Sequence, residues 1–264
     1  MNQVLHIFSK DVRHFWKEVA ISWCVLAAYV WYTAKQSKPE NMFAESYDQF
    51  GAQLIALLLI VSWWVLLIRG IQDERLVGDR QFWVTRPYRW LELLAAKILF
   101  VLVVIHLPLL AAQLALLKLA GFPALPFGGG LLSMHLELLT VLVLPVAAMA
   151  TVTSTFVRVI TFGLIAVLYM VANSWLSTLV PESALSHASA IPGTVEGIIF
   201  LVACAAVILM QYARRWTLVS RGVIVIAVVL TLLIEVATPY SRLIARAYPA
   251  RGETPLKVVL DPAA

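Results

Sequence analysis

Apolar residues in this chain fall into long runs separated by short polar stretches. Seven runs approach the length of a membrane-crossing helix, at roughly 19–34, 51–68, 98–120, 131–151, 160–180, 195–212 and 222–238. Crossing about 30 Å of hydrocarbon at about 1.5 Å per residue takes about 20 residues. The first run is short, but Lys17 and Lys35 at its ends have stems long enough to reach the interface. Backbone facing lipid must satisfy its own hydrogen bonds, and the alternation of a closed barrel is absent. The pattern therefore predicts an all-α fold, a polytopic transmembrane helical bundle of six core spans plus a seventh.

The first 18 residues form a separate element. Leu5, Phe8, Val12, Phe15 and Val19 recur at steps of three and four, while Lys10, Arg13, His14 and Lys17 fall mostly off that stripe. This spacing predicts an amphipathic helix in the membrane surface, apolar face down, set apart from the first span by Lys17 and Glu18. The plainer alternative is one long helix running into that span. Residues 19–238 are then the transmembrane domain, and the polar, Pro-containing stretch 239–264 is a tail ending in a β-prone piece, Leu256 to Leu260. The intervals 35–50, 121–130 and 181–194 read as connectors from their Pro, Gly and Ser content. No repeat of fixed short period is visible.

Composition agrees with this pattern. Apolar residues make up 61% of the chain and charged residues 13%, against roughly 45–50% and about 25% in soluble domains. A single soluble core could not hide that much apolar surface. The net charge of +5 does not mark a nucleic-acid binder, because the basic residues flank apolar runs and form no separate basic domain. Cys24 and Cys204 lie inside apolar runs and read as packing residues, with no disulfide or metal spacing. The first run ends in Tyr29-Val30-Trp31-Tyr32, not in the small residues of a cleavage site, so it reads as a retained span.

Basic residues also orient the bundle. With the N-terminus cytoplasmic, the inner segments hold Lys10, Arg13, Lys17, Arg69, Arg75, Arg80, Arg86, Arg89, Lys97, Arg158, Arg214, Arg215 and Arg221. The outer loops hold Lys35, Lys38 and Lys118. That asymmetry follows the positive-inside rule. After seven spans, the tail with Arg242, Arg246, Arg251 and Lys257 lies outside, against the rule; an even number of spans would bring it inside.

The longest charged interval, 69–97, falls on the cytoplasmic side. Thr85 suits a helix N-cap and Pro87 a first helical turn. Phe82, Trp83, Tyr88 and Trp90 suit an interface or a partner's groove. From residue types alone, an ordinary interfacial loop with aromatic anchors fits equally well.

This interval resembles the loop between the second and third spans of ABC-2 type transporter permeases. The likeness rests on Asp73, Gly78, Phe82, Trp83, Thr85, Arg86, Pro87, Leu93, Leu94, Ala96 and Lys97. It is sharp over Gly78–Lys97 and loose elsewhere up to about residue 238; Phe8, Lys10, Asp11 and Arg13 resemble the family's elbow helix. The family usually has six core spans, against seven runs here. The resemblance implies the membrane-spanning subunit of a bacterial exporter in the cytoplasmic (inner) membrane. It implies that Asp73, Gly78, Phe82, Trp83, Thr85, Arg86, Pro87 and Lys97 serve an ATPase-coupling loop. It further implies a separate ABC ATPase subunit that binds ATP and Mg, a second permease copy (identical or not), and surrounding membrane lipids.

The chain itself has no Gly-x-x-x-x-Gly-Lys-Ser/Thr and no metalloprotease, hydrolase or paired-Cys signature. It is expected to be no enzyme by itself and to bind no cofactor and no nucleic acid. Polar residues within the runs include His106, Gln113, Lys118, Glu137, Asn173 and Glu235. Lys118, Glu137 and Glu235 fall near outer ends, where water or headgroups can be reached. His106 and Asn173 lie deeper and are candidates for an intramembrane polar path, or for plain helix-to-helix hydrogen bonding. The competing classes are an ion-coupled secondary transporter, an intramembrane enzyme and a non-catalytic membrane assembly protein.

Overall fold

A computed structural model describes residues 3–36, 45–74, 89–165, 168 and 190–237. Among the described residues the secondary structure is helical throughout. Helix α1 (Gln3–His14) leads into α2 (Trp16–Gln36), and α3 spans Glu45–Gln72. Then come α4 (Trp90–Val101) and α5 (Leu107–Leu119), joined by a π turn at Leu102–His106. Helices α6 (Gly128–Glu137) and α7 (Leu144–Val152) are likewise joined by a π turn, at Leu138–Val143. The apolar helix α8 covers Phe156–Ile165; α9 (Ala190–Arg214) and α10 (Thr217–Ala237) complete the bundle.

Among the described residues, four helical stretches are long and apolar enough to cross a membrane: Phe50–Gln72, Trp90–Leu119, Leu125–Val152 and Gly197–Arg214. Each of the seven apolar runs has a helix on it, the fifth described as far as Ile165 and at residue 168. Large apolar side chains such as Leu57, Leu102, Val141 and Val225 remain more than 40% exposed on these helices. Lipid as the surrounding solvent accounts for them without cost.

Several expected boundaries move. The break after α1 is at Phe15, not at Lys17 and Glu18, and it is slight. The Phe15 N–H still bonds Asp11 O at 2.9 Å and the Val19 N–H bonds Phe15 O at 2.9 Å. The apolar stripe of α1 faces protein: Phe15 and Val19 are buried with Leu66, Phe100 and Val104, and Phe8 and Val12 pack against them. Leu5 stays exposed. The glycines 128–130, expected in a connector, form the first turn of α6, and α9 takes in Pro192 and Gly193 of the expected 181–194 connector. Proline fits there because an N-terminal helical turn has no partner for its N–H. Helix α5 does end where glycine demands it. Gly121 has φ +79, and the Gly121 N–H to Lys118 O (3.1 Å) and Phe122 N–H to Leu117 O (3.0 Å) bonds satisfy the last carbonyls.

Among the described residues, four apolar clusters hold the helices together. One joins Ile7 of α1, Ile68 and Ile71 of α3, Leu93 and Ala96 of α4, Ala147 and Ala150 of α7, Val159 of α8 and Tyr212 of α9. The alanines let backbones approach, as lipid-embedded packing requires. A second joins Leu26, Leu59, Trp63, Leu67, Ile105 and Val143. The third is the Phe15 cluster, and the fourth ties Ala148 and Val152 to Cys204 and Val207.

Candidate functional site

Among the described residues, buried ion pairs lie where α3 ends and α4 begins. The buried residues of α4 are Leu93, Ala96, Lys97 and Phe100, spaced three and four apart. Lys97 therefore sits on the core-facing side of its helix. On α1, Ile7 and Asp11 are buried four residues apart, and Phe15 follows at the same step. The two charged side chains meet: Lys97 Nζ donates to Asp11 Oδ2 at 2.6 Å and to Glu74 Oε1 at 3.4 Å. Lys97, Asp11 and Glu74 are 7%, 2% and 1% exposed. Charges so buried persist because they are paired; removal of the shared Lys97 would strand both carboxylates.

Further polar contacts surround this trio. Tyr212, in the last turn of α9, is buried in the adjoining apolar cluster. Its hydroxyl and Asp11 Oδ1 have no hydrogen-bond partner among the described residues. Burial pushes the Asp11 carboxyl above its ordinary value of 3.8, against the pull of Lys97. Just beyond α9, burial lowers Arg215 to about 10 while the Glu74 charge opposes the shift. Arg215 also holds a left-handed backbone, φ 54. Nearer the edge, Arg69 pairs with Glu18, and His14 Nε2 stands 4.0 Å from Asp73 Oδ1.

The end of α7 is tied into the same region. Its terminal carbonyls lack intrahelical donors. Gln72 Nε2 reaches Thr153 O at 3.3 Å and Thr153 Oγ1 at 3.2 Å. Arg221 of α10 donates to Val152 O through Nε (3.2 Å) and an Nη (3.0 Å), placing a cation at a helix C-terminus. The end of α3, the first turns of α4 and the middle of α1 thus meet at the ionic core, and the ends of α7 and α9 and the start of α10 lie in the adjoining polar region.

The expected coupling residues divide into two groups. Gly78, Phe82, Trp83, Thr85, Arg86 and Pro87 lie outside the described residues. Asp73 is partly exposed at the end of α3. Lys97 is no docking side chain; it is buried two turns inside α4, which begins at Trp90 with the Arg89 N–H on Glu92 Oε2 at 3.4 Å. The interval 69–97 accordingly narrows, since α3 runs to Gln72. Asp11 and Glu74 were not expected as members. The signal for Asp11 was present as a charged residue four from both Ile7 and Phe15, inside an apolar stripe. Glu74 has no comparable periodic signal.

A second polar group sits within the spans. His106 Nδ1 and His135 Nδ1 are 2.9 Å apart, and His135 Nε2 is 3.1 Å from Gln113 Oε1. His106 is thus joined to α6, while its other candidate companion, Asn173, lies outside the described residues. Lys118 and Glu137 are exposed; the side chain of Glu235 lies outside the description. Among the described residues no group of three or more His, Cys, Asp or Glu could hold a metal ion. Comparison with protein-family models, curated proteins and solved structures finds no match for this chain.

Proposed function

We propose that the chain is the membrane-spanning permease subunit of an ATP-driven ABC-2 type exporter in a bacterial cytoplasmic membrane, worked by a separate ATPase. In this reading the N-terminus and the connection 75–88 are cytoplasmic and six or seven spans cross the bilayer. Helix α1 acts as the elbow helix, and a second permease copy completes the path. The observation that carries it is the buried Lys97–Asp11–Glu74 trio at the roots of the 75–88 connection. A chain with no fuel site of its own needs a stiff handle through which a partner can move its helices. A load applied to the connection reaches α3 through Glu74 and α4 through Lys97, and passes to α1 through Asp11. A closure of the ATPase pair would thereby shift packed helices as units and would not merely flex a loop.

The test is affinity purification of the tagged chain with its candidate ATPase. The intact chain should retain the ATPase, and the triple variant Phe82→Ala, Trp83→Ala, Arg86→Ala should lose it while still inserting into the membrane. Asp11→Asn, which uncouples α1 from Lys97 without stranding a buried charge, should retain the ATPase but weaken stimulation of ATP turnover by cargo. Normal capture and stimulation in the triple variant would refute the docking assignment.

One observation favours a second reading, an ion-coupled secondary transporter: the imidazole pair inside the spans. Transport by the chain alone, driven by a proton gradient in vesicles without ATPase, would select that reading.

A further inference from the structure

His106 lies near the middle of the 30-residue Trp90–Leu119 stretch, and His135 sits ten residues into Leu125–Val152. Each stretch carries a π turn and then a proline two residues beyond it: Leu102–His106 before Pro108, and Leu138–Val143 before Pro145. Such turns rotate the helix locally and often accompany functional sites. His106 closes the first π turn and His135 precedes the second by three residues. The pair therefore bridges two spans where both depart from regular α geometry.

Hydrogen-bond arithmetic decides the protons. Gln113 Oε1 accepts, so His135 Nε2 carries a hydrogen and His135 Nδ1 is a lone pair. The contact at 2.9 Å between the two Nδ1 atoms then requires His106 Nδ1 to be the donor. His106 Nε2 is left as a bare lone pair, buried and with no partner among the described residues. The described residues packed around this point carry no charge. Val25 and Leu26 of α2, Leu59 and Trp63 of α3, and Leu138 and Leu139 of the second π turn pack around Ile105 and its neighbours. Trp23 of α2 spends its indole N–H on Val104 O at 3.1 Å. Among the described residues, His135 is the titratable group whose charge reaches His106.

We propose that the His106–His135 pair, braced by Gln113, is an intramembrane proton-binding site that takes up one proton, at His106 Nε2. Both existing hydrogen bonds survive that step, and the bond between the imidazoles becomes charge-assisted and stronger. A second proton has no place: it would have to occupy His135 Nδ1, facing the hydrogen already on His106 Nδ1, and would part α5 from α6. One proton holds the two spans together and two would separate them. The site stands on this geometry and is independent of how the connection 75–88 is used.

The test is nitrogen NMR of the full chain labelled with 15N-histidine in lipid vesicles across pH 5 to 8, about the range in which imidazoles change charge. Loss of signals in His106→Gln and in His135→Gln assigns the pair. In the wild type, a scalar coupling between the two Nδ1 nuclei is expected. One nitrogen, His106 Nε2, should pass from the unprotonated to the protonated shift, while His135 Nε2 stays protonated throughout. Two imidazoles titrating independently, or none titrating, would overturn the proposal; so would absence of the coupling. Because the decisive spectra are those of the wild type, a misfolded variant affects only their assignment. Loss of ATPase capture in the loop variant leaves these spectra unchanged, so the two readings fail separately.

Discussion

Lys97 serves two carboxylates at once, and this sets an order among substitutions. Lys97→Met leaves Asp11 and Glu74 buried without their shared cation, and should destabilise the chain by about 3–5 kcal/mol. Thermal unfolding in detergent reads this as a large fall in Tm. Asp11→Asn should be far milder, because burial already holds the Asp11 carboxyl above 3.8. The sign follows from linkage: the folded state binds that proton more tightly than the unfolded chain, so ionisation lowers stability as pH rises from 3.8 through the raised value. Asp11→Asn should therefore match or exceed the wild type at neutral pH, with the difference closing as pH falls toward 3.8. A wild type that outlasts Asp11→Asn at neutral pH and loses the advantage in acid would reverse this assignment. Arg215 presents a different conflict. Its left-handed backbone costs an L-residue roughly 1–2 kcal/mol, yet its charge lies within reach of Glu74. Arg215→Gly should relieve the backbone while weakening the ionic core. Stability should change little, whereas Arg215→Ala, which keeps the strain and loses the charge, should fall clearly below both.

At the scale of helices, prolines explain where partners are found. Pro108 has no N–H to offer, so the carbonyl one α turn earlier, Val104 O, needs another donor, and Trp23 supplies it at 3.1 Å. Trp23→Phe should cost roughly 1–3 kcal/mol, the penalty for a carbonyl left without a donor. In a Pro108→Ala background the helix can supply its own N–H, so the same change should cost much less. Equal costs in the two backgrounds would mean that the tryptophan contributes packing alone. The helices themselves were legible from run length, and the buried side of α1 in part from periodicity. Three features escaped. The glycines 128–130 read as a turn by composition, but helical continuity into an apolar run overrides their weak propensity. The apolar side of α1 was assigned to lipid, because periodicity reveals a sticky face and not what covers it. The π turns escaped because register shifts of one residue leave no mark on hydrophobic spacing.

For the whole molecule, the testable quantity is sidedness. Arg80→Cys, in a background with the exposed Cys24 changed to Ser, should react with a membrane-impermeant thiol reagent in inverted vesicles and not in right-side-out ones. Labelling from the opposite side would remove the basis for a cytoplasmic handle. Two members of the ionic core, Glu74 and Lys97, were legible as part of the chain's longest charged interval. The chemistry of the core was not: Lys97 belongs to that interval in sequence yet is buried two turns inside a helix, and its partner Asp11 is 86 residues away. Contacts that distant in the chain are invisible to any local pattern.

That separation has a consequence for biogenesis. Asp11 leaves the ribosome well before Lys97, and at roughly 5–20 residues per second the 86-residue interval lasts roughly 4–17 seconds. Throughout that time the carboxylate has no cation of its own and is best accommodated by water. Helix α1 should therefore wait at the aqueous boundary and dock only after α4 has been inserted, settling later than α4 although it is synthesised before it.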